Sequence, residues 1–333
     1  MTDMWRAIPQ RGRVVLVVLL ALLLVAPSVL DRYFMSVLIL IFYFAFVGQA
    51  WNIMMGYAGQ LSLGHALYAG LGGYVAALLW VYFGVGPWMG VFAGVAVAAT
   101  FGAAIGWLGF RFGIEGVYFA LLTIAFAEFT RIAFDNMAFT GGPAGLFLPY
   151  EEQRAGEWWN LRGGPLLFYY LGLILAVGGS LLTAWLARSR LGYQWLAVRE
   201  DQEAALSLGV GAFRVKMIAV LISASMTAIA GVFLTFYNNS LFPSQAFEIG
   251  RSIEIILAPI IGGLGTIFGP IVGAFILTPL GEALIALTAK FGLDLPGTKA
   301  VFYGLTLMII ISMRPAGVWP WLRRLLGFEE NGK

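Results

Sequence analysis

The sequence predicts an all-α, polytopic integral membrane protein of about ten transmembrane or re-entrant helices, with one further short helix in the cytoplasm. Three observations carry this expectation. Of 333 residues, 60% are hydrophobic and only 11% are charged, against roughly 25% charged in a soluble domain. The mean hydropathy is +0.87. Apolar runs near the ~20 residues that cross a bilayer recur from end to end, and only two long polar connections separate them. No hydrophilic block is large enough for a separate catalytic domain, so residues 1–333 read as one transmembrane domain.

The first run, Val14–Leu30, follows Arg6, Arg11 and Arg13. It is long for the apolar core of a cleaved signal peptide, and a second membrane segment follows at once, so it reads as a retained helix. The later runs are Tyr33–Met55, His65–Phe83, Pro87–Leu108, Glu115–Phe134, Leu166–Ala187, Lys216–Tyr237, Ile253–Val272, Gly273–Ala289 and Ala300–Met313. Those that are short or broken by glycine and proline are the re-entrant candidates. Trp80, Trp88, Trp158, Trp159, Trp319 and Trp321 lie near predicted interfaces, as an aromatic belt does.

Charge sets the orientation. With the N-terminus in the cytoplasm, that side holds Arg6, Arg11, Arg13, Arg111, Arg188, Arg190, Arg199, Arg214, Lys216, Arg314, Arg323, Arg324 and Lys333. The outside holds Arg32, Arg154, Arg162, Arg251, Lys290 and Lys299, while Arg131 falls within a span. The positive-inside bias thus predicts both termini in the cytoplasm and an even number of crossings. The net charge of +3 reflects that bias and not nucleic-acid binding. With no cysteine and one histidine, thiol chemistry and a histidine-cluster metal site are excluded, and no metal is expected.

Of the two polar connections, residues 136–165 are external, rich in Gly and Pro and mildly acidic. Residues 188–216 are cytoplasmic. Within them Arg199–Gly211 reads REDQEAALSLGVG. Glu200, Asp201 and Glu203 put negative charge into a first helical turn, where the macrodipole favours it. Ala204, Ala205, Leu206 and Leu208 are good helix formers, and Gly209 ends the helix. Small alanines offer a low surface on which another protein's groove can close.

Glu203-Ala204-Ala205 followed by Gly209 resembles the EAA…G signature of ABC-importer membrane subunits. Gly59–Ala66 with Gly70 (GQLSLGHA…G), Thr140–Gly145 (TGGPAG) and Gly262–Ala274 (GGLGTIFGPIVGA) resemble three further elements of one family. Together they are similar to the LivM-type permeases of branched-chain amino acid ABC importers, over roughly Tyr33–Pro315. The resemblance implies a coupling helix in residues 188–216, with Arg199, Glu200, Asp201, Glu203, Ala204, Ala205 and Gly209 facing the ATPase. It implies four kinds of partner: a second related permease, two P-loop ATPase subunits, an external solute-binding protein and the bilayer of a bacterial inner membrane. It implies no cofactor in this chain, with ATP and Mg on the ATPase. Consistently, no GxxxxGK[ST] occurs in the sequence. The resemblance implies branched-chain amino acids (leucine, isoleucine, valine) as the first expected solute, moved by ATP-driven alternating access, with urea, short amides or another small solute as the alternative, since related permeases carry these.

Glycine breaks are tolerated in a bilayer only where the freed backbone faces protein or a water-filled cavity. A pair of them in the two halves of a transporter points to its substrate path. Gly56–Tyr74 and Gly262–Ala274 form such a pair. Ser62, Gly64 and His65 are then candidates for the pathway wall, with Thr266 and Gly269 opposite; the other reading is that the glycines only pack helices. His65 suits a hydrogen-bonded turn better than a proton relay, because no acid lies near it in sequence. Glu128 and Arg131, spaced i, i+3 with Asp135 beyond, form an expected intramembrane ion pair. Arg251 and Glu254 are spaced likewise. Two other classes compete with the importer. A proton-coupled carrier would need a relay such as His65 with Glu128. An intramembrane enzyme would need a catalytic constellation, and the sequence offers none.

Overall fold

The computed structural model describes residues 10–148, 158–161, 163–290 and 297–326. Arg6, Arg154, Arg162, Lys333 and the middle of the external connection lie outside them. The helices in chain order are α1 (Gln10–Val25), α2 (Arg32–Asn52), α3 (His65–Phe83), α4 (Pro87–Arg111), α5 (Val117–Asn136) and α6 (Pro165–Ala187). Then come α7 (Arg190–Glu200), α8 (Gln202–Ser207), α9 (Ala212–Asn238), α10 (Pro243–Ala246), α11 (Ile249–Gly262), α12 (Gly269–Lys290), α13 (Thr298–Met313) and α14 (Trp319–Leu325). The only strands among the described residues are β1 (Leu146–Phe147) and β2 (Ser240–Leu241), an antiparallel pair. The all-α expectation holds.

Among the described residues, seven helices are long and apolar enough to cross a membrane: α2 with the turn that extends it, α3, α4, α5, α6, α9 and α12. α2 sits at the centre, packed against α6, α9, α11 and α12, and its residues from Ile41 to Met54 are buried. The outer helices turn apolar side chains outward; Phe92 of α4 is 72% exposed and Ile174 of α6 is 65% exposed. Such a surface is stable only against lipid or another membrane chain.

Lipid offers helices no hydrophobic drive to associate, so close backbone approach has to supply it. α3 and α9 cross in this way. A Cβ on Gly72 would meet the Ala228 backbone, and one on Gly231 would meet the Ala69 backbone. Gly94 of α4 presses on Gly72 from the other side, 2.8 Å from its carbonyl oxygen by the same measure.

Two segment boundaries differ from expectation. The apolar run near residue 270 is continuous, so hydropathy places a span over Ile253–Val272 and another over Gly273–Ala289. The chain instead breaks at residues 263–268, between α11 and α12. Gly263 (φ 130°) and Gly265 (φ 68°) leave the helical region there, and the Thr266 hydroxyl accepts from Gly269 N–H at 3.0 Å to start α12. α11 has 14 residues, about 21 Å at 1.5 Å per residue, short of the ~30 Å hydrocarbon core. The loop helix over residues 199–211 is also two helices. Arg199 and Glu200 end α7, and only Glu203 falls in the first turn of α8. The reason is Asp201, which adopts an extended conformation and caps α8, accepting from Ala204 N–H at 3.0 Å. Gly209, with φ 84°, lies just past the end of α8, as expected.

Candidate translocation and coupling site

One end of the bundle gathers the α7–α8 loop, the chain after α2 and the α11–α12 turn. α2 does not end as an α-helix: Ile53–Tyr57 is a π-turn. Ala58 N–H bonds Ile53 O, and Gln60 N–H reaches back to Met54 O at 2.9 Å. The Gly56 carbonyl is thereby passed over by the backbone ladder, and the Arg199 guanidinium donates to it. Arg199 also donates from Nε to Glu200 Oε1 at 3.1 Å. The α7–α8 loop is thus hooked onto the first broken segment.

That segment is tied to the second. Asn52 Oδ1 accepts from Gly265 N–H at 2.8 Å, and Asn52 Nδ2 donates to Thr266 O at 2.9 Å. Gln49 Nε2 donates to Ile267 O. Gln49, Asn52 and Gly56 share one helix face by their spacing. Gly56 must be glycine, because a Cβ there would lie 2.6 Å from Gly265 N and closer still to Asn52 Oδ1. Arg199, Gly56, Asn52 and the 263–268 turn therefore form one polar clasp.

From Gly59 the chain runs without helix to Gly64, and α3 starts only at His65. This stretch lies inside the bundle. Trp51 Nε1 donates to Ser62 O at 2.8 Å, and Leu63 N–H donates to Thr123 Oγ1 at 3.1 Å. His65 Nδ1 meets Ser62 Oγ at 3.1 Å and its Nε2 meets Ser223 Oγ at 2.8 Å. Ser223 lies about 16 Å along α9 from its start, so α3 begins well inside the bundle and not at its end. Ala66 N–H at its head donates to Ser252 Oγ of α11 at 2.9 Å. Non-helical backbone at this depth is satisfied by protein, as it must be.

The loop itself is braced at two more points. Trp195 Nε1 of α7 donates to Val215 O at 2.8 Å. Lys216, its side chain only 7% exposed, pairs with Glu115 at 3.0 Å and stands over the Phe110 ring. The hydrogen bond from Lys216 holds the Glu115 carboxyl below the usual carboxylate range, and Gln202 of α8 acts in the same direction. Beyond these braces α8 presents one open face: Glu203 and Ala204 are exposed, Leu206 is 50% exposed and Leu208, just past its end, is 84% exposed, whereas Ala205, expected to face a partner, is only 2% exposed because it packs inward against the bundle.

The pathway candidates divide. Ser62 and His65 are fully buried, and Gly64 lies against the Thr123 backbone. Thr266 and Gly269 lie instead at the α11–α12 turn, where the Thr266 hydroxyl donates to Gly263 O at 2.8 Å. The two groups meet different neighbours. At the far end of α5, Arg131 forks between Glu128 at 2.6 Å and Asp135 at 2.7 Å. Glu128 is 49% exposed, so this is a local brace. Arg251 and Glu254 pair at 3.0 Å. Asn52 and Gln49 were visible as polar residues on an apolar helix, but nothing in sequence indicates their partners some 210 residues away.

Residues 33–311 match the family described as branched-chain amino acid transport system, permease component. The chain is 28% identical to the high-affinity branched-chain amino acid transport system permease protein LivM of Escherichia coli (strain K12), over 96% of this chain and 78% of the relative. It is 25% identical to LivH of the same organism, over 83% of this chain and 90% of the relative. It is also 31% identical to the autoinducer 2 import system permease protein LsrC of Photorhabdus luminescens, over 42% of each. No solved structure matches.

Proposed function

The chain belongs to the family of branched-chain amino acid permease components, and from that premise we propose that it is one membrane subunit of an ATP-driven importer for leucine, isoleucine and valine. The observation that carries the mechanism is the clasp from Arg199 to Gly56 and on, through Asn52, to Gly265 and Thr266. α8, with Glu203, Ala204, Leu206 and Leu208 exposed, is the coupling helix that docks in a cleft of a separate P-loop ATPase. ATP and Mg sit on that partner. Closure of the ATPases displaces α8, and Arg199 carries the displacement to the two broken segments on which the bundle switches sides. A second, related permease completes the membrane pair, and an external solute-binding protein docks on the opposite end, which includes residues 136–165. We place the assembly in a bacterial inner membrane, with both termini and the α7–α8 loop in the cytoplasm. The arginines and lysines gathered at that end of the bundle support this orientation.

The test is uptake of labelled leucine into vesicles holding this chain with its partner permease, ATPases and binding protein. Accumulation that requires ATP and is abolished by excess valine is expected. ATP-dependent uptake of urea or a short amide in its place would keep the importer and discard the amino acid. Leucine uptake indifferent to ATP would discard the importer.

A further inference from the structure

A small cavity opens at the end opposite the coupling loop, lined by α2, α3, α9, α11 and the chain around β2. Its volume is about 50 Å³. Asn238 and Gln245, both exposed, stand at its rim. Its inner wall holds Tyr43, which is 2% exposed and whose hydroxyl has no hydrogen-bond partner. Tyr43 lies about 16 Å along α2 from its start, roughly half the thickness of the hydrocarbon core. Leaving a hydroxyl buried and unpaired is costly, so such a group calls for an acceptor.

The wall also holds the hydroxyl residues Thr235 and Ser240 and one charged group, Arg251, in the first turn of α11. One guanidinium nitrogen bonds Glu254 at 3.0 Å. Five N–H donors radiate from that group, so others remain for a second anion. The start of α11 adds the positive end of a helix dipole. Leu234, Leu241 and Phe242 give the same cavity an apolar side. Donors that Glu254 engages only in part, set beside aliphatic surface, describe one class of guest. We propose that this cavity takes the α-carboxylate of an aliphatic amino acid on its way inward, with Tyr43 and Arg251 as donors. At this size it holds the carboxylate end, with the side chain lying along the apolar wall toward the rim. The inference rests on the importer reading and sharpens it: urea and short amides carry no anionic group for these donors.

The test uses the permease pair with its ATPases, without the external binding protein, in detergent. The readout is the rise in Tm on adding leucine, or leucinamide at equal concentration. Leucine is expected to protect and leucinamide not. Tyr43→Phe removes only the hydroxyl, which nothing in the protein uses, so its Tm without leucine should equal or exceed wild type. It should need about tenfold more leucine for the same protection, as loss of one hydrogen bond to a charged group implies. Arg251→Lys, which keeps the charge but not the fork, should also weaken protection. Equal protection by leucine and leucinamide, or an unaltered leucine requirement in Tyr43→Phe, would overturn the proposal and leave the cavity to water. Uptake by the same proteins in vesicles separates the two readings. Protection without uptake would uphold the pocket and contradict the importer, whereas uptake with no Tyr43 dependence would uphold the importer alone.

Discussion

Six glycines fall in Gly56–Tyr74, and each meets a different neighbour. Gly56 admits Gly265, Gly59 (φ 70°) turns the chain beneath Arg199, and Gly64 lies on the Thr123 backbone. Gly70 faces the Phe247 ring, while Gly72 and Gly73 face α9. The glycines thus both break and pack. Gly64→Ala would drive a methyl group into backbone that cannot rotate away. It should cost about 1–3 kcal/mol, the range for overpacking, read as a lower Tm of the purified permease, whereas Gly178→Ala, with nothing within 4 Å, should not lower it. His65 has both ring nitrogens engaged by serine hydroxyls, and Glu128 is held by Arg131 in the neighbourhood of α5 alone. A proton relay between them has no support at this scale. Leucine uptake should therefore persist when a proton ionophore is added to ATP-loaded vesicles; collapse under that treatment would reinstate the carrier.

At the scale of elements, α7 and α8 are held at three points: Trp195 to Val215, Arg199 to Gly56 and Gln202 to Glu115, which itself pairs with Lys216. Glu115→Gln leaves a largely buried ammonium without its carboxylate. Because Glu115 is itself 56% exposed, the loss should be modest, about 1 kcal/mol. The pH dependence has a definite sign. The Glu115 carboxyl is held below its ordinary value, so its contribution is complete above the usual carboxylate range and is lost as pH falls through the lowered value. The Tm gap between wild type and Glu115→Gln should be constant near neutrality and close below about pH 4. Most of these elements are legible in sequence, because apolar length marks α2 to α6 and α9 directly. The α11–α12 break is legible in kind from the glycines of Gly262–Ala274, but hydropathy runs through it and misplaces the span boundary, which the positive φ of Gly263 and Gly265 fixes. The split at Asp201 is not legible, because one side-chain cap competes there with an otherwise continuous helical pattern. The candidate docking surface is read from two alanines, of which only Ala204 is exposed; Ala205 turns inward, and the exposed Leu206 and Leu208 emerge only from the packing of α8.

For the whole molecule, the two ends of the bundle have separate work. One carries α8 and the clasp, and the other carries the Arg251 cavity and the β1–β2 pair. Between them α3 and α11 meet inside the bundle through Ala66 and Ser252. The family was legible from four motifs, but the clasp that joins two of them depends on contacts between residues far apart in the chain, which a single sequence does not encode locally. If α8 is the docking surface, Glu203→Arg should abolish co-purification of the ATPase while Arg190→Glu, on the preceding helix, should retain it; equal recovery of both would remove α8 from the interface. Under the proposed function Arg199 has a different duty, which is to transmit. The most direct test is the number of leucine molecules imported per ATP hydrolysed, measured in vesicles for the wild-type assembly and for Arg199→Ala. The clasp predicts that ATPase binding survives and that this ratio falls about tenfold or more, as loss of a charged hydrogen bond at the transmitting contact implies. An unchanged ratio would mean that coupling travels by another route and would contradict the account.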